Sequence, residues 1–321
     1  MHPIAVILPV YNGGEYLKLS VESVLGQGFG EFEFYILDDY STDESWSYLT
    51  SIQDKRVKLF RNEKNKGLFY NLNFLINHSA EPLIKLWSQD DIMYPECLEK
   101  TVAFHRKHPD IGFSYSERHY IDGDGAIIPV QVTDRTPEIV STTLHSRIAF
   151  YTGSIAGNIA NVTLSRDALN RVGLFREDMK ISGDFDMWVR LARDHAVGFL
   201  KEPLIQLRDH KNQLSRQEKY YVFHLKEDLQ VYHYLLSYVS ANERIEGRRL
   251  LRDYKLLFYY TLMAKSLIKG RFRTFSHFYG LLSRFDNMGL LTVSFLRQRI
   301  FQRNRYNSPF RDNAVIIEKN T

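Results

Sequence analysis

Ile4-Ala5-Val6-Ile7-Leu8-Pro9-Val10 runs directly into Tyr11-Asn12-Gly13-Gly14. Seven residues without a polar side chain, rich in β-branched types and closed by Asn and Gly, read as a buried strand ending in a tight turn. Beyond the turn, Tyr16, Leu17, Val21, Val24 and Leu25 recur at helical spacing, and Phe32 to Leu37 then forms a second apolar run that closes on Asp38-Asp39. Val57 to Phe60, Leu83 to Trp87 and Ile111 to Tyr115 are further strand candidates. Between the third and fourth runs, Leu68, Leu72, Leu75 and Ile76 fall on one helix face. Strand, helix and strand in repetition predict an α/β fold of Rossmann type, a mainly parallel mixed sheet with helices on both faces.

Sheets of this kind bind ligands beyond the carboxyl ends of their strands, where loops and helix N-termini converge. Tyr11-Asn12-Gly13-Gly14, Asp38-Asp39 and Asp90-Asp91 each fall just past a predicted strand, so one mouth should gather all three. A carboxylate at Asp38 or Asp39 suits a base N–H or ribose hydroxyls, and the same Asp-Ser-Thr-Asp run also suits a turn and helix cap. Adjacent charges at Asp90 and Asp91 repel unless a cation or solvent compensates, and oxygen ligands suit Mg²⁺ or Mn²⁺. Alone, the pair also fits a solvated loop before a helix opened by Pro95.

A third carboxylate site is Ser182-Gly183-Asp184-Phe185-Asp186-Met187-Trp188-Val189-Arg190. Phe185, Trp188, Val189 and Ala192 share a helix face, which anchors the helix and leaves its first turn free to present an acid. Asp184 and Asp186 stand about 200° apart on an ideal helix, so only one is expected to enter the site. Leu207 to Ser215 adds His210, either a metal ligand or phosphate donor or a solvated loop imidazole.

Charge divides the chain. Residues 1–210 carry 22 Lys+Arg against 29 Asp+Glu, whereas residues 211–321 carry 20 against 9. From about Gln217 the sequence turns into helix-compatible stretches with nineteen aromatics between Tyr220 and Phe310, which places a boundary between a catalytic domain over 1–216 and a helical, basic region over 217–321. That region reads either as a helical domain with an aromatic core or as a surface for peripheral contact with anionic lipid. No nucleic-acid motif accompanies its basic residues, so no nucleic-acid partner is expected. Residues from Arg311 read as polar and frayed, with Val315-Ile316-Ile317 as a short apolar run inside them. Cys97 is the sole cysteine, which rules out an internal disulfide and fits a cytoplasmic setting. Neither a signal peptide nor a membrane span is expected, the longest late apolar stretch being Leu256 to Ala264.

In this order, Val6-Ile7-Leu8-Pro9-Val10-Tyr11-Asn12, Leu37-Asp38-Asp39-Tyr40-Ser41-Thr42-Asp43, Asn65-Lys66-Gly67, Gln89-Asp90-Asp91, Gly183 to Arg190 and Arg208-Asp209-His210 resemble the family 2 inverting glycosyltransferases of GT-A fold. The resemblance covers roughly residues 4 to 215. It implies a transferase that moves a sugar from a nucleoside diphosphate, with UDP-sugars the common donors, to a glycan or lipid-linked acceptor hydroxyl with Mn²⁺ or Mg²⁺. Surface polysaccharide or glycolipid synthesis is the setting it suggests. Carried over by motif, Pro9, Val10, Tyr11, Asp39, Lys66, Gly67 and Asp90 would bind the nucleotide, Asp91 and His210 the metal, and Asp184 would be the general base. Three departures stand out: Ser88 replaces the first acid of a D-x-D triplet, Tyr40 the glycine of D-D-G-S, and Gly183 the glutamate of an E-D pair. Nucleotidyl transfer, or binding of a nucleotide-sugar without catalysis, remains the competing reading.

Overall fold

The computed structural model describes residues 2–129, 135–210 and 218–301. The chain divides into two compact units, Met1–His145 with Ala156–Lys211, and Ser146–Ile155 with Asn212–Thr321. The expected boundary at Gln217 and the run around Val315 lie outside the described residues.

In the first unit the opening run forms β1 (Ile4–Val10), followed by α1 (Leu17–Leu25), β2 (Phe32–Asp38), α2 (Ser45–Thr50), β3 (Val57–Arg61), α3 (Leu68–His78) and β4 (Leu83–Leu86). Every residue of β1 is buried, as a strand covered on both faces requires. Its Ile4, Val6, Leu8 and Val10 join Val21 and Val24 of α1 and Phe32, Phe34 and Ile36 of β2 in one core cluster. Each such side chain contributes about 1.5–3 kcal/mol by leaving water, which fixes the strand register before any polar contact acts. β1, β2, β3 and β4 are mutually parallel, with Val10 opposite Asp38 at the carboxyl end.

The chain continues through β5 (Ile92–Met93), α4 (Cys97–Lys107), β6 (Ile111–Ile121), β7 (Ile127–Ile128), β8 (Ile139–Val140), α5 (Thr142–Thr152), β9 (Val162–Ser165), α6 (Arg166–Val172), α7 (Gly183–Asp194) and β10 (Ala196–Arg208). The sheet order is β3-β2-β1-β4-β9-β6-β10-β5, with β7 on β6 and β8 on β10. β9 runs antiparallel between β4 and β6, and β6 and β10 are parallel. The sheet is therefore mixed and mainly parallel, as the alternation predicts. β10 is the element that sequence pattern hides. Lys201-Glu202-Pro203 interrupts two apolar runs, and the pairing with β6 shifts register on both sides of Pro203, so two short runs join through an irregularity into one bent strand.

The second unit holds the end of α5, then α8 (Tyr221–Tyr238), α9 (Ala241–Leu250), a π-helical turn over Leu251–Leu256, α10 (Leu257–Ile268), α11 (Phe272–Phe285) and α12 (Met288–Phe301). Its core gathers Leu225, Leu256, Tyr259, Met263, Phe278, Leu282 and Leu291. A capping box between Ser240 and Glu243 starts α9, and Gly247 is obligatory because a Cβ there would fall 1.8 Å from the Phe150 ring. Among the described residues no helix is long and apolar enough to cross a membrane.

Candidate active site

Parallel strands bring their carboxyl ends to one edge, and hydrogen bonds knit the loops there. Tyr11 N–H donates to Gln89 Oε1 at 2.9 Å while Gln89 Nε2 donates to the Tyr11 carbonyl at 3.2 Å, tying the turn after β1 to the turn after β4. Asn12 N–H donates to Ser41 Oγ at 3.0 Å, and Asn12 Oδ1 accepts from Thr42 N–H at 2.8 Å. Gly13 and Gly14 N–H groups donate to Ser45 Oγ and Asp43 Oδ2 at 2.9 and 3.0 Å. The segment from Ser41 to Ser45 thus serves as a clamp on the first turn as well as a turn of its own.

Asp39 is buried and organises a second loop. Its Oδ1 accepts from Asn62 Nδ2 and Lys66 N–H, both at 2.7 Å, and its Oδ2 from Gly67 N–H at 2.9 Å. Gly67 takes φ +89°, which lets the chain turn onto the carboxylate before α3 begins. Tyr40 adopts φ +65°, so the turn that glycine makes easily is made here by a half-exposed tyrosine. The sequence departure at this position therefore leaves the left-handed turn intact and stores strain in it.

Asp90 and Asp91 follow β4, and the structure separates their surroundings. Asp91, 3% exposed, accepts from Arg208 N–H at 2.9 Å and from Asn158 Nδ2 at 3.4 Å. Burial pushes its carboxyl up to about 7, opposed by the Arg208 N–H bond and reinforced by Asp90. The Ser88 hydroxyl also supports Asp91, so the serine that replaces an acid has a contact of its own. Asp90 is more open, its Oδ2 lying 3.4 Å from His210 Nε2, and burial again raises it while His210 draws it down.

His210 is brought to the site by the hidden strand. It follows the end of β10 and packs its ring 5.4 Å from that of Tyr16. Both ring nitrogens are buried without an aligned hydrogen-bond partner, and so is Asn158 Oδ1 beside Asp91. Arg208 is the residue to which its motif gave no role. Its guanidinium lies 4.4 Å over the Tyr16 ring, and it donates from Nε to the Asp90 carbonyl at 3.0 Å and from Nη1 to the Asp122 and Gly123 carbonyls at 2.8 and 2.9 Å. No period of the sequence announces this lock, because it depends on β10 reaching that edge.

Asp184 sits in the first turn of α7, partly buried, with Oδ1 accepting from Phe185 N–H at 2.7 Å. Asp186 turns inward and pairs with Arg190 at 2.7 Å, whose Nη groups donate to the Val172 and Leu174 carbonyls. Only Asp184 of the two is left at the helix edge, as the angular spacing predicts. A Cβ on Gly183 would meet the Phe69 ring at 2.6 Å, so glycine is required there by contact with α3. That contact also locates the helix: Phe69 follows Gly67, which is bound to Asp39. The loops carrying Asp39, Asp90-Asp91 and His210 are thus joined through the turns at the carboxyl ends of the strands, and α7 with Asp184 packs on the start of α3 beside the Asp39 loop.

Among the described residues no three His, Cys, Asp or Glu groups are close enough to chelate a metal by themselves. Asp90 and His210, 3.4 Å apart, are the side chains here that could offer oxygen and nitrogen ligands to a divalent cation.

The profile of Glycosyl transferase family 2 matches residues 5–168, and the chain belongs to that family. EpsE of Bacillus subtilis, a glycosyltransferase by name, is 29% identical over 221 residues, covering 67% of this chain and 76% of its own. An uncharacterized glycosyltransferase of Rickettsia felis is 27% identical over 217 residues, with 67% of this chain matching only 35% of that longer protein. In three dimensions the chain resembles Staphylococcus aureus TarS, with TM-score 0.58 at 19% identity over 76% of this chain and 68% of that one. The same neighbour has been solved with UDP and, at TM-score 0.57 and 20% identity over 76% and 69%, with UDP-GlcNAc. The likeness supports a GT-A glycosyltransferase fold for the first unit, with helices following it.

Proposed function

We propose that this site binds a UDP-sugar or a related nucleoside diphosphate sugar and transfers the sugar, with inversion, to a hydroxyl of a glycan or lipid-linked acceptor. What supports the reading is that hydrogen bonds tie the turns after β1, β2 and β4 together, that Asp90 and His210 meet at that end, and that α7, which carries Asp184, packs on the start of α3 beside the Asp39 loop. Family membership favours sugar transfer over nucleotidyl transfer, and the UDP complexes of TarS support the choice of donor.

Pro9, Val10 and Tyr11 end β1 beside Asp39, so they wall the pocket in which Asp39, Lys66 and Gly67 receive the nucleotide. The motif carry-over gives the cation to Asp91 and His210 and the nucleotide to Asp90; the 3.4 Å contact between Asp90 and His210 favours these two instead, which would hold Mn²⁺ or Mg²⁺ while Asp91 braces them through Arg208. When bound, the cation supplies positive charge to the departing diphosphate. Asp184 accepts the proton of the acceptor hydroxyl; that oxygen bonds to the anomeric carbon while the bond to the diphosphate breaks and its electron pair leaves with the nucleoside diphosphate. General-base help of this kind contributes about 10²- to 10⁴-fold. Surface polysaccharide or glycolipid synthesis, on the cytoplasmic side of a membrane, is the setting that such a donor and acceptor suit.

Asp184→Asn is expected to bind donor normally and to lose at least about 10²-fold in turnover, measured by nucleoside diphosphate release with acceptor present. Near-normal turnover would reject the assignment. Asp90→Ala is expected to weaken donor binding at least about 10-fold in the presence of Mn²⁺ and much less in its absence, read by titration calorimetry. An isotherm with unchanged metal dependence would remove Asp90 from the cation site.

A further inference from the structure

In the second unit, α10 and α11 form a hairpin whose tip stands beyond the core. Met263 on one helix and Phe278 and Leu282 on the other pack inside, whereas every residue from Leu267 to Arg273 is exposed. Within that run Ile268 is 84% and Phe272 68% exposed, and Leu267 adds 46%; among the described residues of the unit Ile268 is the most exposed large apolar side chain, with Ile245 of α9 at 73%. Gly270 at φ +67° makes the turn tight, with Gly270 N–H donating to the Leu267 carbonyl and Arg271 N–H to the Ser266 carbonyl, so the apolar side chains are presented by a built turn.

Charge along the hairpin sequence has one sign. Between Asp253 and Asp286 the chain holds no acidic residue, and Lys265, Lys269, Arg271 and Arg273 flank the apolar side chains. The nearest acid paired with the tip is Glu218, 3.7 Å from Arg271, and both are largely exposed. Two large apolar side chains surrounded by cations are costly in water and complementary to a bilayer, where the apolar groups enter the acyl boundary and the cations meet anionic headgroups.

We propose that the Leu267–Arg273 turn is a membrane-docking tip that inserts Ile268 and Phe272 into an anionic lipid surface. It gives a specific place to the lipid-contact reading of residues 217–321. It stands apart from the transfer chemistry, because lipid binding is measured without donor or acceptor.

The test is flotation of the full chain with phosphatidylcholine vesicles and with vesicles containing a third phosphatidylglycerol. The wild type is expected to float with the anionic vesicles at least about 10-fold better than with neutral ones. Ile268→Ser/Phe272→Ser and, separately, Lys269→Glu/Arg273→Glu are each expected to lose at least about 10-fold in partitioning while keeping the wild-type circular dichroism, since all four side chains lie on the surface. Recovery unchanged in either pair overturns the proposal, as does equal recovery with neutral and anionic lipid. A wild-type dimer that the apolar pair dissociates, without vesicle binding by either protein, would assign the tip to self-association instead.

Discussion

Asp91 at the sheet edge and Asp228 in the helical unit are both buried carboxylates, and the two regions hold them in opposite ways. Asp91 is surrounded by dipoles, an N–H from Arg208, an amide from Asn158 and the Ser88 hydroxyl, and burial wins, pushing it up to about 7. Asp228 is buried just as deeply, yet Lys255 Nζ stands 2.7 Å away and His224 Nδ1 3.4 Å away, and these partners pull it well below the usual carboxylate range. Lys255 is raised in turn by Asp228 despite its burial, and Tyr232 and Tyr259 close the cluster at 3.3 Å from Lys255 Nζ and 3.0 Å from His224. A carboxylate with a full counter-charge is finished structure. One held by dipoles alone keeps its burial penalty and binds its proton more tightly than an exposed acid does.

The comparison breaks most visibly at Lys255. Lys255→Met strands Asp228 without its cation and is expected to cost about 3–5 kcal/mol in urea unfolding of the full chain, with Asp228→Asn/Lys255→Met recovering much of it. Asp91→Asn keeps an acceptor for Arg208 N–H and should cost less than about 1.5 kcal/mol. Equal losses from Lys255→Met and Asp91→Asn would erase the distinction.

Acid sharpens it further. In the first unit, burial depresses His105 and His145 to about 4, so between the ordinary histidine value and that point the unfolded chain binds protons that the folded chain refuses. Their contribution is fully present above about pH 6.5 and is lost progressively as pH falls towards 4, by up to about 1.4 kcal/mol per histidine per pH unit. Asp228, depressed in its folded state, loses its contribution only below the usual carboxylate range. Asp91, raised to about 7, works against the histidines, because the folded chain takes up its proton over the same window. The urea midpoint of the first unit's tryptophan fluorescence should therefore fall more steeply between pH 7 and 5 in Asp91→Asn than in the wild type; a flat midpoint in Asp91→Asn would contradict the burial argument.

The smallest effect is at Tyr40. Because its φ is +65°, Tyr40→Gly should be more stable than Tyr40→Ala by about 1 kcal/mol, the reverse of the usual order, and thermal unfolding of the two variants decides it.

What the sequence disclosed follows physical range. Period and composition locate β1 to β4, α1, α3 and α7 because each element is marked by its own residues. Angular spacing says that Asp184 and Asp186 face apart, and the structure shows which of them turns inward, Asp186 onto Arg190. β10 escapes notice because Pro203 divides it, and with it go the placement of His210 and the lock made by Arg208, both consequences of pairing with β6 some eighty residues earlier. In the same way Gly183 looks like a lost acid until Phe69 is seen in the space that a side chain would need.

That steric exclusion makes positions 69 and 183 a single design variable. A glutamate grafted at 183 to imitate related enzymes would displace an aromatic ring that itself stacks on Phe175, tilting the helix that carries Asp184. Retuning this carboxylate by mutagenesis must begin by shrinking the ring, because every side chain placed at 183 alone meets Phe69.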